Sequence, residues 1–278
     1  MKAASLVVAL LGCAAANPRP AQPQPHHADI HGLHMYYEEA GAGPPLVLLH
    51  GGGSTVQTTF GKILPKLART HRVIAPEQQG HGHTPDLDRP LSFEQMADDT
   101  AALLERLDIH DADILGFSNG GMVALQIALR HPRLVHRLII CSAFYARDGV
   151  IPQMAEAWRQ PPDASKMPSS LRDAYLAAAP HPDLARFVGK TIAMMQTFTD
   201  IPEAVLASIA VPTLVMVGDH DVIRVEHALK LSQVVAHGDL AVFPSSIHGT
   251  YLGAIEGDRP GNRQPDMTAT MIETFLAR

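Results

Sequence analysis

Ser118 lies in Gly116-Phe117-Ser118-Asn119-Gly120, a G-x-S-x-G run. It falls between a short apolar segment, Ala112 to Leu115, and a stretch of good helix formers, Met122 to Arg130. A strand, a sharp turn at the serine and an immediate helix lift Oγ above a sheet edge and aim a helix N-terminus at it. Gly116 and Gly120 have no Cβ, so strand and helix backbones can approach closely on either side of the serine. His131-Pro132 then stops the helix. This context predicts a nucleophilic hydroxyl rather than a loop serine.

A serine hydroxyl is a poor nucleophile at neutral pH. A base must take its proton, and a carboxylate must orient that base. His248 follows the last expected strand and precedes the last expected helix, while Asp219 and Asp221 both follow the strand before it. With 16 histidines in the chain, position rather than residue type singles out His248. His220, His227 and His237 are expected at the surface or in local hydrogen bonds. His81, His83 and Asp86 match no familiar helical ligand pair, and neither H-E-x-x-H nor a Walker loop occurs. The chemistry expected of this chain requires no metal or organic cofactor.

The elements that must position these groups alternate. Strands are expected at Leu33–Glu39, Leu46–Leu49, Arg72–Ala75, Ala112–Leu115, Arg137–Ser142, Thr213–Val217 and Leu240–Phe243. The clearest helix spans Ser92 to Leu107, with apolar residues at i, i+3, i+4 and i+7 and a capping box formed by Ser92 and Gln95. Further helices are expected around Phe60–Ala68, Met122–Arg130, Glu226–Val235 and Met267–Ala277. Residues 150–210 interrupt the alternation with proline clusters and helical patches. A mostly parallel sheet flanked by helices, with one helical insertion lying over it, follows from this order.

At 46% hydrophobic and 18% charged, the 278-residue chain can bury a sizeable core. Its net charge of −6 comes without a basic stripe, which argues against nucleic acid as a partner. The N-terminus reads as an export signal over residues 1–16: Lys2, an apolar run from Ala3 to Leu11, then Ala14-Ala15-Ala16. Leu10-Leu11-Gly12-Cys13 also resembles a lipoprotein box, which would place a lipid anchor at Cys13. The run is too short to span a bilayer. A disordered proline-rich linker is expected over residues 17–29, and an exported protein, periplasmic or secreted, is the expected location. Cys141 reads as a small buried hydrophobe.

Leu48-Leu49-His50-Gly51-Gly52-Gly53-Ser54, the Ser118 turn, Gly218-x-x-Asp221 and His248 occur in that order. Together they resemble the α/β-hydrolase superfamily, in its single-domain esterase-like branch, over roughly residues 30–278. Tyr36-Tyr37-Glu38, Pro44-Pro45-Leu46 and Gly80-His81-Gly82 add to the likeness. The resemblance implies Ser118 as nucleophile, His248 as general base and then acid, and Asp221 rather than Asp219 as the orienting carboxylate. It also implies an oxyanion hole from the backbone N–H groups of Gly52 and Asn119, with His50 supporting that turn. Many relatives carry an acidic residue and an arginine ahead of Gly-His-Gly. Here the run is Glu77-Gln78-Gln79, a departure bearing on packing rather than on the reaction.

A serine in the turn points to acyl chemistry on carboxylic esters or lactones. The insertion is the expected lid, with Trp158, Met194, Met195 and Phe198, together with Gly53, as candidate pocket residues, alongside Tyr175 and Phe187. Small to medium, uncharged, apolar-leaning substrates follow. The same triad supports hydrolysis of a carbon–carbon bond or perhydrolysis, and a non-catalytic ligand-binding protein is the reading from another class.

Overall fold

The computed structural model describes residues 22–278. The expected export segment 1–16, with Cys13, and residues 17–21 of the expected linker lie outside the described residues. Strands β1 (Gln24–Ile30), β2 (Leu33–Ala40), β3 (Pro45–Leu49), β4 (Arg72–Pro76), β5 (Ala112–Phe117), β6 (Val135–Cys141), β7 (Pro212–Gly218) and β8 (His237–Phe243) form one sheet. Its order is β1-β2-β4-β3-β5-β6-β7-β8, antiparallel at β1/β2 and β2/β4 and parallel from β4 onward.

β1 corrects the expected linker: residues 24–29 are strand. Pro25 and a polar surface hid it, because β1 is an edge strand, where a missing N–H is tolerated. Only Ala28 and Ile30 turn inward from it.

The ten helices among the described residues are α1 (Val56–Phe60), α2 (Leu64–Leu67), α3 (Phe93–Arg106), α4 (Asn119–Arg130), α5 (Pro152–Arg159), α6 (Ser169–Ala178), α7 (Leu184–Thr197), α8 (Glu203–Leu206), α9 (Val225–Val234) and α10 (Gln264–Leu276). Strand residues alternate between two apolar layers, as the period of two demands. Val47, Leu49, Ile114, Leu138, Ile140, Val215 and Val217 pack toward α3, α4 and α9. Leu46, Leu48, Leu115, Phe117, Ile139, Cys141, Leu214 and Met216 pack toward α1, α2 and α10. Both faces of the central strands are covered, which is why these strands read as continuous apolar runs.

The helix expected over Phe60–Ala68 is two pieces, α1 and α2, broken at residues 61–63 with Pro65 in the first turn of α2. The box at the start of α3 is half formed. Ser92 Oγ accepts from Gln95 N, but the Gln95 amide donates to Asp99 Oδ1 instead of returning to the cap.

The insertion between β6 and β7 carries α5, α6, α7 and α8 and, among the described residues, no named strand. Its Met194, Met195, Ile201 and Leu206 enter the larger apolar layer. Its other attachment is polar. Lys190 Nζ meets Asp86 Oδ2 at 2.8 Å, Leu87 O at 2.5 Å and Arg89 O at 2.8 Å, and Arg186 Nε meets Asp86 Oδ2 at 2.7 Å. Among the described residues, no helix is long and apolar enough to cross a membrane.

Candidate active site

Ser118 occupies the turn between β5 and α4 at φ 54°, ψ −120°, a left-handed conformation that costs a non-glycine residue free energy. The flanking glycines make the turn possible. A Cβ at Gly116 would lie 2.1 Å from Gly120 O, and one at Gly120 would lie 2.0 Å from Leu49 O. Ser118 N donates to Cys141 O at 2.9 Å, which fixes the turn to the end of β6. Ser118 is the N-cap of α4, yet its hydroxyl makes no capping bond. It meets His248 Nε2 instead, at 3.0 Å.

His248 lies on the loop after β8, against the Phe117 ring at 4.7 Å between centroids. Its Nδ1 meets Asp221 Oδ1 at 2.7 Å. Asp221, on the loop after β7, also accepts from Ile223 N at 3.1 Å and from Ser142 Oγ at 2.5 Å. Burial opposes charge at both groups, and the partners win. Burial lowers the His248 pKa, but the Asp221 charge and hydrogen bond, with a smaller push from Glu256, hold it above the ordinary imidazole value. Burial raises the Asp221 pKa, but His248, the Ser142 hydroxyl and Ile223 N hold it below the usual carboxylate range. The carboxylate is thus charged at neutral pH and keeps Nε2 of the histidine turned to the serine. Asp219 serves elsewhere: it accepts from Ser245 N and Ser246 N at 2.9 Å each and braces the histidine loop.

The turn after β3 stands beside the serine. Ser54 N closes it onto Gly51 O at 3.2 Å, and Gly53 takes φ 73°. A Cβ at Gly52 would lie 2.3 Å from Asn119 Nδ2, so the two residues expected to form the oxyanion hole are neighbours. Among the described residues neither backbone N–H has a protein acceptor; for Asn119 this is the natural state of the open first turn of α4. His50 braces this turn. Its Nδ1 donates to Gly51 O at 2.7 Å and its Nε2 accepts from Gln78 N at 3.0 Å.

His81, His83, His227 and the Glu77-Gln78-Gln79 run have structural partners. Glu77 accepts from Val56 N at 3.0 Å and meets His83 Nδ1 at 2.9 Å, tying two turns together. Burial pushes His81 down to about 3, and its ring packs edge-on against Phe187. Asp86 is taken by the Lys190 and Arg186 cations. Gln79 donates to Asp86 Oδ1 at 2.8 Å and accepts from Arg89 Nε at 2.5 Å. His227 is buried rather than at the surface: it accepts from Tyr145 N at 3.0 Å, and burial pushes it down to about 4.

The candidate pocket residues divide. The insertion reaches the turn after β3 through Met167, Leu171 and Phe187, whose atoms lie 3.0, 3.8 and 3.9 Å from where a Gly53 Cβ would be. Trp158 and Phe198 instead gather around Phe144, at 5.2 and 5.1 Å between centroids. Met194 and Met195 are buried in the larger layer. These four pack within the insertion and onto the larger layer, and Met167 and Leu171, which carry no sequence signal, stand nearer the turn after β3. Ser142, Tyr251, Ser54 and Glu256 were also missed. Tyr251 OH meets Ser142 Oγ at 2.8 Å, and Ser54 Oγ donates to Glu256 Oε1 at 3.0 Å.

Residues 44–208 match the family model of the alpha/beta hydrolase fold. The chain is 27% identical over 243 residues to the 2-hydroxymuconate semialdehyde hydrolase of Pseudomonas sp. (strain CF600), covering 80% of this chain and 86% of that one. It is 28% identical over 235 residues to the serine hydrolase BPHL of Homo sapiens, covering 80% and 79%. The solved structure of 2-hydroxy-6-oxo-6-phenylhexa-2,4-dienoate hydrolase from Rhodococcus sp. strain RHA1 superposes with a TM-score of 0.77 at 20% identity, over 93% of this chain and 100% of that one. The parallel sheet, the strained serine between β5 and α4 and the match over more than half the sequence agree: this chain belongs to the α/β-hydrolase fold family.

Proposed function

We propose that this hydrolase cleaves carboxylic esters or lactones through an acyl-enzyme. The observation that carries the reading is the unbroken line Ser118 Oγ, His248 Nε2, His248 Nδ1, Asp221 Oδ1, at 3.0 and 2.7 Å. Ser118 Oγ attacks the carbonyl carbon while its proton passes to His248 Nε2. The oxyanion takes hydrogen bonds from the Gly52 and Asn119 N–H groups, each worth about 3 kcal/mol in the transition state. Collapse breaks the bond to the alcohol oxygen, which leaves with the proton from His248. Water, deprotonated by the same nitrogen, then releases the acid and restores Ser118.

The helical insertion acts as a lid in this reading, with Met167, Leu171 and Phe187 giving the substrate an apolar wall over the oxyanion turn. Small, uncharged esters suit that wall. The amino-terminal residues direct export, and the mass of the mature chain from a secreting host tests this.

Carbon–carbon bond hydrolysis is the second reading, supported by the relatives named for it. Those substrates are carboxylates, as the names muconate and dienoate state, and an anion needs a cation to receive it. Arg186 and Lys190, on the helix of the insertion that reaches the site, are already paired with Asp86 and Asp88. This favours the ester reading. Assays of purified protein with short-chain aryl esters and with a vinylogous diketone acid, side by side, separate the two. Turnover of the diketone acid alone would overturn the ester reading.

A further inference from the structure

Glu256 sits where the two halves of the site meet. Its Oε1 accepts from the fully buried Ser54 hydroxyl at 3.0 Å, at the end of the oxyanion turn. Its Oε2 is buried and, among the described residues, has no hydrogen-bond partner. A buried carboxylate oxygen without a partner is costly, so the fold must hold it in place. It does so from both sides. Ile255 N donates to Thr58 O at 2.9 Å, and Thr250 Oγ1 donates to Gly257 O at 2.8 Å. Gly257 lies so close that a Cβ there would stand 2.2 Å from His248 O. The loop that carries the histidine therefore folds back and delivers Glu256 to the end of the oxyanion turn.

The charge is not cancelled by a nearby cation. Among the described residues no lysine or arginine pairs with Glu256: Lys62 is bound to Asp258 at 2.5 Å, and Arg259 donates to Ser245 O at 2.9 Å. Its field falls instead on His248, where it adds to that of Asp221.

We propose that the Glu256 carboxylate is a specificity-determining group that excludes substrates carrying a carboxylate near the scissile carbonyl and so selects uncharged esters. The proposal rests on the acyl-transfer reading and deepens it. A negative group on the substrate meets a fixed like charge that the low-dielectric surroundings barely screen. The same charge favours the imidazolium that forms when His248 takes the serine proton. One residue thus repels an anionic substrate and supports the transition state of a neutral one.

The test compares meta-tolyl acetate with meta-carboxyphenyl acetate, of similar size and differing in charge, on the full mature chain. Wild type is expected to favour the neutral ester by about tenfold or more in kcat/KM, equivalent to ~1.4 kcal/mol. In Glu256→Gln the two esters move in opposite directions: the anionic ester gains about tenfold and the neutral one loses a few-fold. A merely structural role lowers both together and overturns the proposal, as does a wild type that treats the two esters alike. Where Glu256→Gln does not fold, meta-carbamoylphenyl acetate on the wild type decides, since its amide has the shape of the carboxylate without the charge. It is turned over like the tolyl ester if charge sets the ratio and as poorly as the carboxylate if shape does, and the second result overturns the proposal. A folded wild type that turns over neither ester overturns the acyl-transfer reading, and this inference with it.

Discussion

Ser142 Oγ donates to Asp221 Oδ2 at 2.5 Å, so the carboxylate oxygen that does not face His248 is also held. Ser142 directly follows β6 and takes φ 47°, a strained conformation that a serine adopts only where its surroundings require it. The Tyr251 hydroxyl completes the chain, meeting Ser142 Oγ at 2.8 Å and Met216 O at 3.2 Å. Asp221 is thus fixed by its neighbours on β6 and β7 as much as by its own loop.

Ser142→Ala removes that hold. We expect kcat to fall roughly tenfold with KM little changed, the loss of one hydrogen bond to a charged group being worth about 1.5–3 kcal/mol. Steady-state kinetics on a neutral ester check this. A fall in KM alone, or no effect, would mean that the Ile223 N–H and His248 suffice to orient the carboxylate.

Activity requires neutral His248, whose folded-state pKa is raised because the Asp221 and Glu256 charges outweigh burial. The acidic limb of kcat/KM against pH is therefore expected to inflect above the ordinary imidazole value of about 6.5, with activity lost as pH falls through it. In Asp221→Asn the limb moves to lower pH, since burial then acts with less opposition, and kcat drops by about 10⁴. A limb that stays in place in Asp221→Asn would show that another group titrates.

The insertion is held by packing and by the Lys190 clamp, and the two can be separated. Lys190→Met keeps the aliphatic stem and removes the ammonium that meets Asp86, Leu87 O and Arg89 O. Hydrogen exchange along Leu184–Thr197 should then accelerate about tenfold or more, as expected for charge-assisted bonds of about 1.5–3 kcal/mol. Unchanged protection would assign the attachment to the packing of Phe187, Met194 and Met195 and to the Arg186 pair with Asp86.

Much of the site was legible because its parts are local. The Ser118 turn shows itself through glycines that the backbone contacts at Gly116 and Gly120 demand. Asp221 and His248 follow strands whose apolar runs are plain. What was illegible depends on long-range pairing. Ser142 and Asp221 are 79 residues apart and meet only because β6 and β7 are parallel neighbours. Ser54 and Glu256 are 202 apart, and although Ser54 ends the His50–Ser54 run, nothing in that run points to Glu256. Trp158 and Phe198 read as pocket residues, and the sequence alone does not show that both also pack on Phe144, since that contact depends on the fold. β1 reads as linker in the sequence because an edge strand needs only two buried residues and tolerates Pro25.

The central claim is that Ser118 is activated by His248. Intact-mass analysis of the folded protein before and after a fluorophosphonate tests it most directly, with peptide mapping of the adduct. One adduct on Ser118, lost in Ser118→Ala and slowed by orders of magnitude in His248→Ala, is the predicted result. An unlabelled wild type, or labelling of Ser118 at the same rate without His248, would contradict the account.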